Sequence, residues 1–149
     1  MLGIDYGARR IGLALSDPTA SLASPWRVAA RPSSDRAMLT LLVREIETLI
    51  AAHDGLEAVV LGWPRRLDGT ATHDTKTIES LARALQARVP VPVVLQDERL
   101  SSREAESRLA GRQRDWRKRK ATLDAMAAAV ILQDYLDNRP RPAARGVTP

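Results

Sequence analysis

The chain has no cysteine and no phenylalanine, and its Trp and Tyr residues bring aromatic content to only 3%. Without cysteine there is no disulfide frame, no thiolate metal site and no cysteine nucleophile. The two His residues are scattered along the chain, which excludes a histidine-built metal cage. No apolar run is long enough to span a bilayer and no signal-peptide pattern opens the chain, so a cytoplasmic location is expected. With so few aromatics, the core has to rest on Leu, Val, Ile and Ala. These are abundant: hydrophobic content is 44% in 149 residues, enough for one domain with a real core. The formal charge is +5, with Arg dominant among the cations. Arg pairs with phosphate in a bidentate fork, so this balance favours a polyanionic partner.

The stretch from Gly3 to Asp17 reads as two short strands joined by a tight turn. Leu2, Ile4 and Tyr6 alternate onto one face, and Ile11, Leu13 and Leu15 repeat that period after the turn. Gly7 and Gly12 flank the turn, where a missing Cβ permits unusual backbone angles or close approach of another group. Asp5 is the exception in this apolar strand. A carboxylate there is costly to bury unless a cation or hydrogen bond meets it, which makes it a candidate metal ligand; the plainer alternative is a strand-end residue facing water.

Further along, Trp26 to Ala30 is expected as a third strand, stopped by Pro25 and Pro32. Ser33 or Ser34 caps a helix from Asp35 that ends near Gly55. Ala58-Val59-Val60-Leu61 suits a buried strand over Glu57 to Leu61. Gly62 to Thr70 reads as a loop with Arg65 and Arg66 at its centre. A second helix fits Asp74 to Val89, and a strand Val91 to Leu95, running straight into Gln96-Asp97-Glu98-Arg99. Ser101 and Glu104 have capping-box spacing for a helix through about Leu109. Gly111 to Lys120 is strongly basic, and a last helix fits Thr122 to Leu136. The order is an antiparallel meander, then helix, strand, helix, strand, helix, helix. Right-handed crossovers make this an α/β fold: one mixed sheet, its later strands parallel to the first, with helices on both faces. Residues 1–138 form the expected domain, and 139–149 an expected disordered tail.

In such sheets the site lies beyond the strand carboxyl ends, which gathers Asp5, the Gly62 loop and Glu98 at one edge. Glu98 can equally be half of a solvated loop pair with Asp97. Asp124 shares a helix face with Ala127, Ala128 and Ile131, which points to close docking against the sheet. The alternative is a first-turn Asp favoured by the helix dipole. The polar positions Gln133, Asp134 and Asp137 lie off this face, and the last two are assigned to solvent. Three carboxylates without His or Cys form a hard oxygen set suited to Mg²⁺ or Mn²⁺, and two such ions can assist phosphodiester hydrolysis. Arg65, Arg66, Arg117, Lys118 and Lys120 would hold the polyanion, joined by Arg10 and Arg99 beside the carboxylates; the plainer alternative for each basic run is a solvated face. Trp116 either stacks on a base or anchors its segment to the core.

With these residues in place, the chain resembles the YqgF family, Holliday-junction-resolvase-like proteins also described as pre-16S rRNA nucleases. The resemblance rests on Gly3-Ile4-Asp5-Tyr6-Gly7 with Arg10-Ile11-Gly12-Leu13-Ala14, on Gly62-Trp63-Pro64 with Asp68-Gly69, on Asp97-Glu98-Arg99-Leu100-Ser101, and on Lys120 with Leu123-Asp124 and Ala127-Ala128. It implies an RNase H-like fold and a metal-dependent nuclease with Asp5, Glu98 and Asp124 as its carboxylates. It also implies either ribosomal RNA precursor trimming or cleavage of four-way DNA junctions; the sequence leaves monomer and homodimer both open. Three departures stand out. Gly-Trp-Pro replaces Gly-Leu-Pro, Arg66 fills a commonly uncharged position, and Met1 nearly abuts the first motif, so a shortened start is expected.

Two other classes compete. Sugar kinases and chaperone ATPases also open with an Asp-x-Gly hairpin, but they carry a second such hairpin, and this sequence has one. A non-catalytic nucleic-acid-binding factor would retain the fold without needing all three carboxylates.

Overall fold

The computed structural model describes residues 1–7, 9–52, 55–63, 73–97 and 116–139; for 73, 74 and 116–123 it describes the backbone. β1 (Leu2–Tyr6), β2 (Arg10–Ser16) and β3 (Ala23–Ala30) form the antiparallel meander. α1 (Asp35–Ala51), β4 (Val59–Trp63), α2 (His73–Gln86), β5 (Val93–Asp97) and α3 (Trp116–Asn138) follow. The five strands lie in the order β3-β2-β1-β4-β5, with β4 parallel to β1 and β5 parallel to β4. This is the mixed sheet expected from the sequence.

Strand alternation sorts the side chains into two layers. Leu2, Ile4, Ile11, Leu13, Val59 and Leu61 turn to one face and pack against α1 and α2 through Met38, Leu42, Ile46, Ile78 and Leu85. Each such fully buried side chain contributes about 1.5–3 kcal/mol. The opposite face carries Ala14, Ala23 and Val60 against α3, through Ala128, Ala129, Ile131 and Leu132. Helices thus cover both faces. The small residues beneath α3 let it lie close: a Cβ on Gly3 would meet Leu132 Cβ at 2.8 Å, and one on Gly12 would overlap the Asp124 carbonyl.

Several boundaries differ from expectation, each for a local reason. β3 begins at Ala23, because Ala23 and Ser24 pair with Ser16 and Leu15, and a register shift opposite Leu13 and Ala14 accommodates Pro25. Proline is tolerated there because β3 is an edge strand with a bulge. Ser34 is the cap of α1, accepting from Ala37 N at 3.1 Å, but the helix stops at Ala51, and Gly55 follows with φ +65. β4 runs two residues further than expected, since Gly62 and Trp63 pair with Gln96 and Asp97 instead of opening a loop. α2 ends at Gln86, whose side chain donates to Val91 O at 3.0 Å and accepts from Val93 N at 2.8 Å. Pro92 has no N–H to offer the ladder, so β5 starts at Val93.

The largest correction concerns α3. It begins at Trp116, so Trp116 to Lys120 is helical rather than a separate basic segment. Asp134, assigned to solvent from the sequence, is 3% exposed, and Gln133 is 6% exposed. Gln133 accepts from Ala23 N at 2.9 Å and donates to Ser21 O at 3.1 Å, pinning the far end of α3 to β3. Asp137 is exposed as expected, though it accepts from Gln133 Nε2 at 3.0 Å. The expected helix 101–109 and the tail from residue 140 lie outside the described residues. Among the described residues, no helix is long and apolar enough to cross a membrane.

Candidate active site at the carboxyl edge of the sheet

β1, β4 and β5 all end at one edge, and α1, α2 and α3 all begin there. Asp5 is the penultimate residue of β1, and its cross-strand partner on β2 is Gly12. By alternation, Asp5 projects on the α3 side, opposite the core face of Ile4 and Tyr6. The space that a side chain at position 12 would fill is taken by the α3 backbone at Asp124. Gly12 therefore brings the helix down onto the sheet beside Asp5. The close approach expected at this glycine is that of Asp124 itself.

Asp124 lies in the third turn of α3, which rules out the first-turn alternative for its charge. Its effect on Asp5 is electrostatic. Burial first, and the Asp124 charge second, push the Asp5 carboxyl above its ordinary pKa. Two carboxylates held this close repel one another, and a divalent cation with oxygen ligands relieves that repulsion. The donor set thus fits a hard metal ion. Glu98, the third expected ligand, follows the last residue of β5 and lies outside the described residues, as does Arg99. Among the described residues, no group of three or more His, Cys, Asp or Glu is placed to hold a metal. Asp97 does not join the pair: alternation puts it on the side of Val93 and Leu95, which pack toward α1 and α2.

Arg10 opens β2, and its Nη1 sits 3.6 Å from Asp124 Oδ2, with the two side chains 66% and 41% exposed. The turn beneath it is tied down by Gly7 N donating to Arg10 O at 3.0 Å and Arg31 N donating to Arg9 O at 2.9 Å. Arg31 also donates from Nη1 to Gly7 O at 3.3 Å and lies 4.2 Å from the Tyr6 ring centroid. Arg117, Lys118 and Lys120 occupy the opening turns of α3, at the same edge. Arg65 and Arg66 fall outside the described residues. Trp63 packs against the core on the α1 and α2 side, as a packing residue would. The buried polar anchor Gln133 was missed in the sequence. Its one available signal was its place directly after the apolar run Ala127 to Leu132.

Solved structures share this fold. "T. thermophilus RuvC in complex with Holliday junction substrate" superposes with a TM-score of 0.55 at 15% identity, covering 91% of this chain and 93% of that one. The fold is RNase H-like. A ROK hexokinase from Thermus thermophilus matches with a TM-score of 0.51 at 22% identity, over 73% of this chain but 37% of that enzyme, a likeness of fold alone. In sequence, a protein of Maridesulfovibrio salexigens named "Putative pre-16S rRNA nuclease" is 40% identical over 136 residues, 91% of this chain and 96% of its own. A protein of the same name from Anaeromyxobacter dehalogenans (strain 2CP-1) is 40% identical over 140 residues, 93% of this chain and 96% of its own. The pattern of the RuvX family, described as Holliday junction resolvase, matches residues 1–138. Because that match runs from the first strand to the end of α3 and takes in Asp5, Glu98 and Asp124, the chain belongs to the RuvX family, the one that its sequence motifs resemble.

Proposed function

We propose that this protein is a divalent-metal-dependent nuclease that hydrolyses phosphodiester bonds in structured nucleic acid, and that its substrate is the 5′ end of pre-16S rRNA. The observation that carries this reading is the meeting of Asp5 and Asp124 across Gly12, two mutually repelling carboxylates at the open edge of the sheet. Asp5, Asp124 and Glu98 would hold Mg²⁺ or Mn²⁺. Such ions, when bound, activate water and stabilise the leaving oxygen of a phosphodiester. The rest of the work falls to the chain's own cations. Arg10, Arg65, Arg66, Arg99, Arg117, Lys118 and Lys120 bind the backbone, fixing register without reading sequence.

The charge at the start of α3 supports a polyanionic ligand. Arg117, Lys118, Arg119 and Lys120 stand at the positive end of the helix macrodipole, and the first turn has no acidic residue. Cations there oppose the dipole by roughly 0.3–1 kcal/mol each, a cost that an approaching phosphate offsets. The names of the relatives favour ribosomal RNA. The family description and the RuvC neighbour's title favour the second reading, four-way DNA junctions. In this reading the protein works in the cytoplasm, residues 1–138 are one nuclease domain and 139–149 a disordered tail, and paired cuts in a junction would call for a dimer.

The test sets an end-labelled 16S rRNA precursor beside a four-way DNA junction, each with Mg²⁺, Mn²⁺ or chelator. Metal-dependent cutting of the RNA alone is expected. Cutting of the junction alone would restore the resolvase reading, and binding of both without cutting would leave a non-catalytic binding factor.

A further inference from the structure

Among the described residues, Arg10 is the cation paired with Asp124, and its surroundings constrain its backbone while leaving its side chain at the surface. The hydrogen bonds from Gly7 N to Arg10 O and from Arg31 N to Arg9 O fix the hairpin tip. The guanidinium above it is 66% exposed and meets Asp124 by one long contact of 3.6 Å. An exposed, single-contact ion pair of this kind is weak and readily broken. Asp124 is also one of the three carboxylates that would hold a divalent cation. A guanidinium and a divalent ion on the same carboxylate repel each other, so the two compete for it.

We infer that Arg10 is an exchangeable counter-cation of this site: a divalent ion bound at Asp5 and Asp124 displaces its guanidinium, which then takes a phosphate of the nucleic acid. The released side chain stays at the sheet edge, because its backbone is held by the turn. There the guanidinium fork can grip a phosphate by two hydrogen bonds. Metal binding thus creates a phosphate contact from a residue already in place. It follows that metal and nucleic acid bind cooperatively, and reciprocally, partly through Arg10. This inference rests on the proposed metal site and adds to it a coupling that the carboxylates alone do not supply.

The experiment measures Mn²⁺ binding by calorimetry without nucleic acid, for wild type, Arg10→Gln, Arg10→Lys and Asp124→Asn. A second arm measures binding of a labelled rRNA-precursor fragment with and without Ca²⁺. Removing the competing charge should tighten Mn²⁺ binding to Arg10→Gln by about 1.5–5-fold, the range open to an exposed ion pair. Arg10→Lys should stay close to wild type. The Ca²⁺-induced tightening of RNA binding should shrink in Arg10→Gln and be largely kept in Arg10→Lys. Equal Mn²⁺ affinity in wild type and Arg10→Gln would overturn the exchange while leaving the metal site intact. No difference between wild type and Asp124→Asn would overturn the metal site and the exchange together.

Discussion

Asp5 sits where folding alone would not put a carboxylate. Its burial and the nearby Asp124 charge raise its pKa, so the folded chain binds its proton more tightly than the unfolded chain does. The sign of the stability effect follows. Asp5 weakens the fold when ionised, and that penalty is relieved as pH falls through the raised pKa toward the ordinary value of about 3.9. In chelator, Asp5→Asn should therefore be more stable than wild type at neutral pH, with a higher Tm. The difference should close in acid, and scanning calorimetry across pH checks it. Asp17 contributes in the opposite sense. Its carboxylate, outside the site, accepts hydrogen bonds from Thr19 Oγ1, Leu22 N and Ser21 N, which lower its pKa. Its stabilisation is lost as pH falls below the ordinary carboxylate range, so only the difference between variant and wild type isolates Asp5. The sequence made Asp5 legible because a charge interrupts an apolar alternation. It could not reveal that Asp124 adds its charge to the burial that raises the Asp5 pKa, since the two are joined only by tertiary docking.

The decisive element is α3. Its alanine-rich face lies on Gly3, Gly12 and Ala14, and this tight fit sets Asp124 beside β1. The far end is pinned by Gln133, which bridges Ala23 N and Ser21 O. Gln133→Ala leaves the buried Ala23 N–H without its acceptor, a cost of about 1–3 kcal/mol. We expect a Tm several degrees lower, read by thermal denaturation, with the metal affinity of folded protein little changed because Asp124 lies about two and a half turns away. The helix pattern in the sequence was correct for Thr122 to Leu136 but began six residues late. Trp116 to Lys120 carries a charge run that reads as a basic segment ahead of the helix, yet it is helical. Polar Gln133 and Asp134 were placed outside by the rule that polar groups face water. That rule fails where a side chain can satisfy backbone groups of a neighbouring strand. Prolines misled less: Pro92 marked the start of β5, whereas Pro25 lies inside β3 because an edge strand with a bulge accepts it.

Among the described residues, the sheet order and the shared direction of β1, β4 and β5 bring Asp5 and the helix N-termini to one edge. This much followed from strand order and crossover handedness alone, which is why the architecture was legible without coordinates. The same edge carries Arg10 and the opening turns of α3, so nucleic-acid affinity should depend strongly on salt. Lys118→Ala should weaken binding of RNA and junction DNA alike. It should also lower the slope of log K against log salt by about 0.7–0.9, as for one lost phosphate contact. A salt titration by fluorescence anisotropy checks it, and an unchanged slope removes Lys118 from the interface.

The central claim is that Asp5 and Asp124 act together as metal-binding carboxylates of a nuclease. Its most direct test is single-turnover cleavage of the end-labelled rRNA precursor in Mg²⁺ by wild type, Asp5→Asn and Asp124→Asn, with binding of the same RNA measured in parallel. We predict a loss of cleavage on the order of a hundredfold or more in each variant, about 2.7 kcal/mol of barrier, with binding in chelator within a few-fold of wild type. Cleavage by either variant at the wild-type rate would contradict the account.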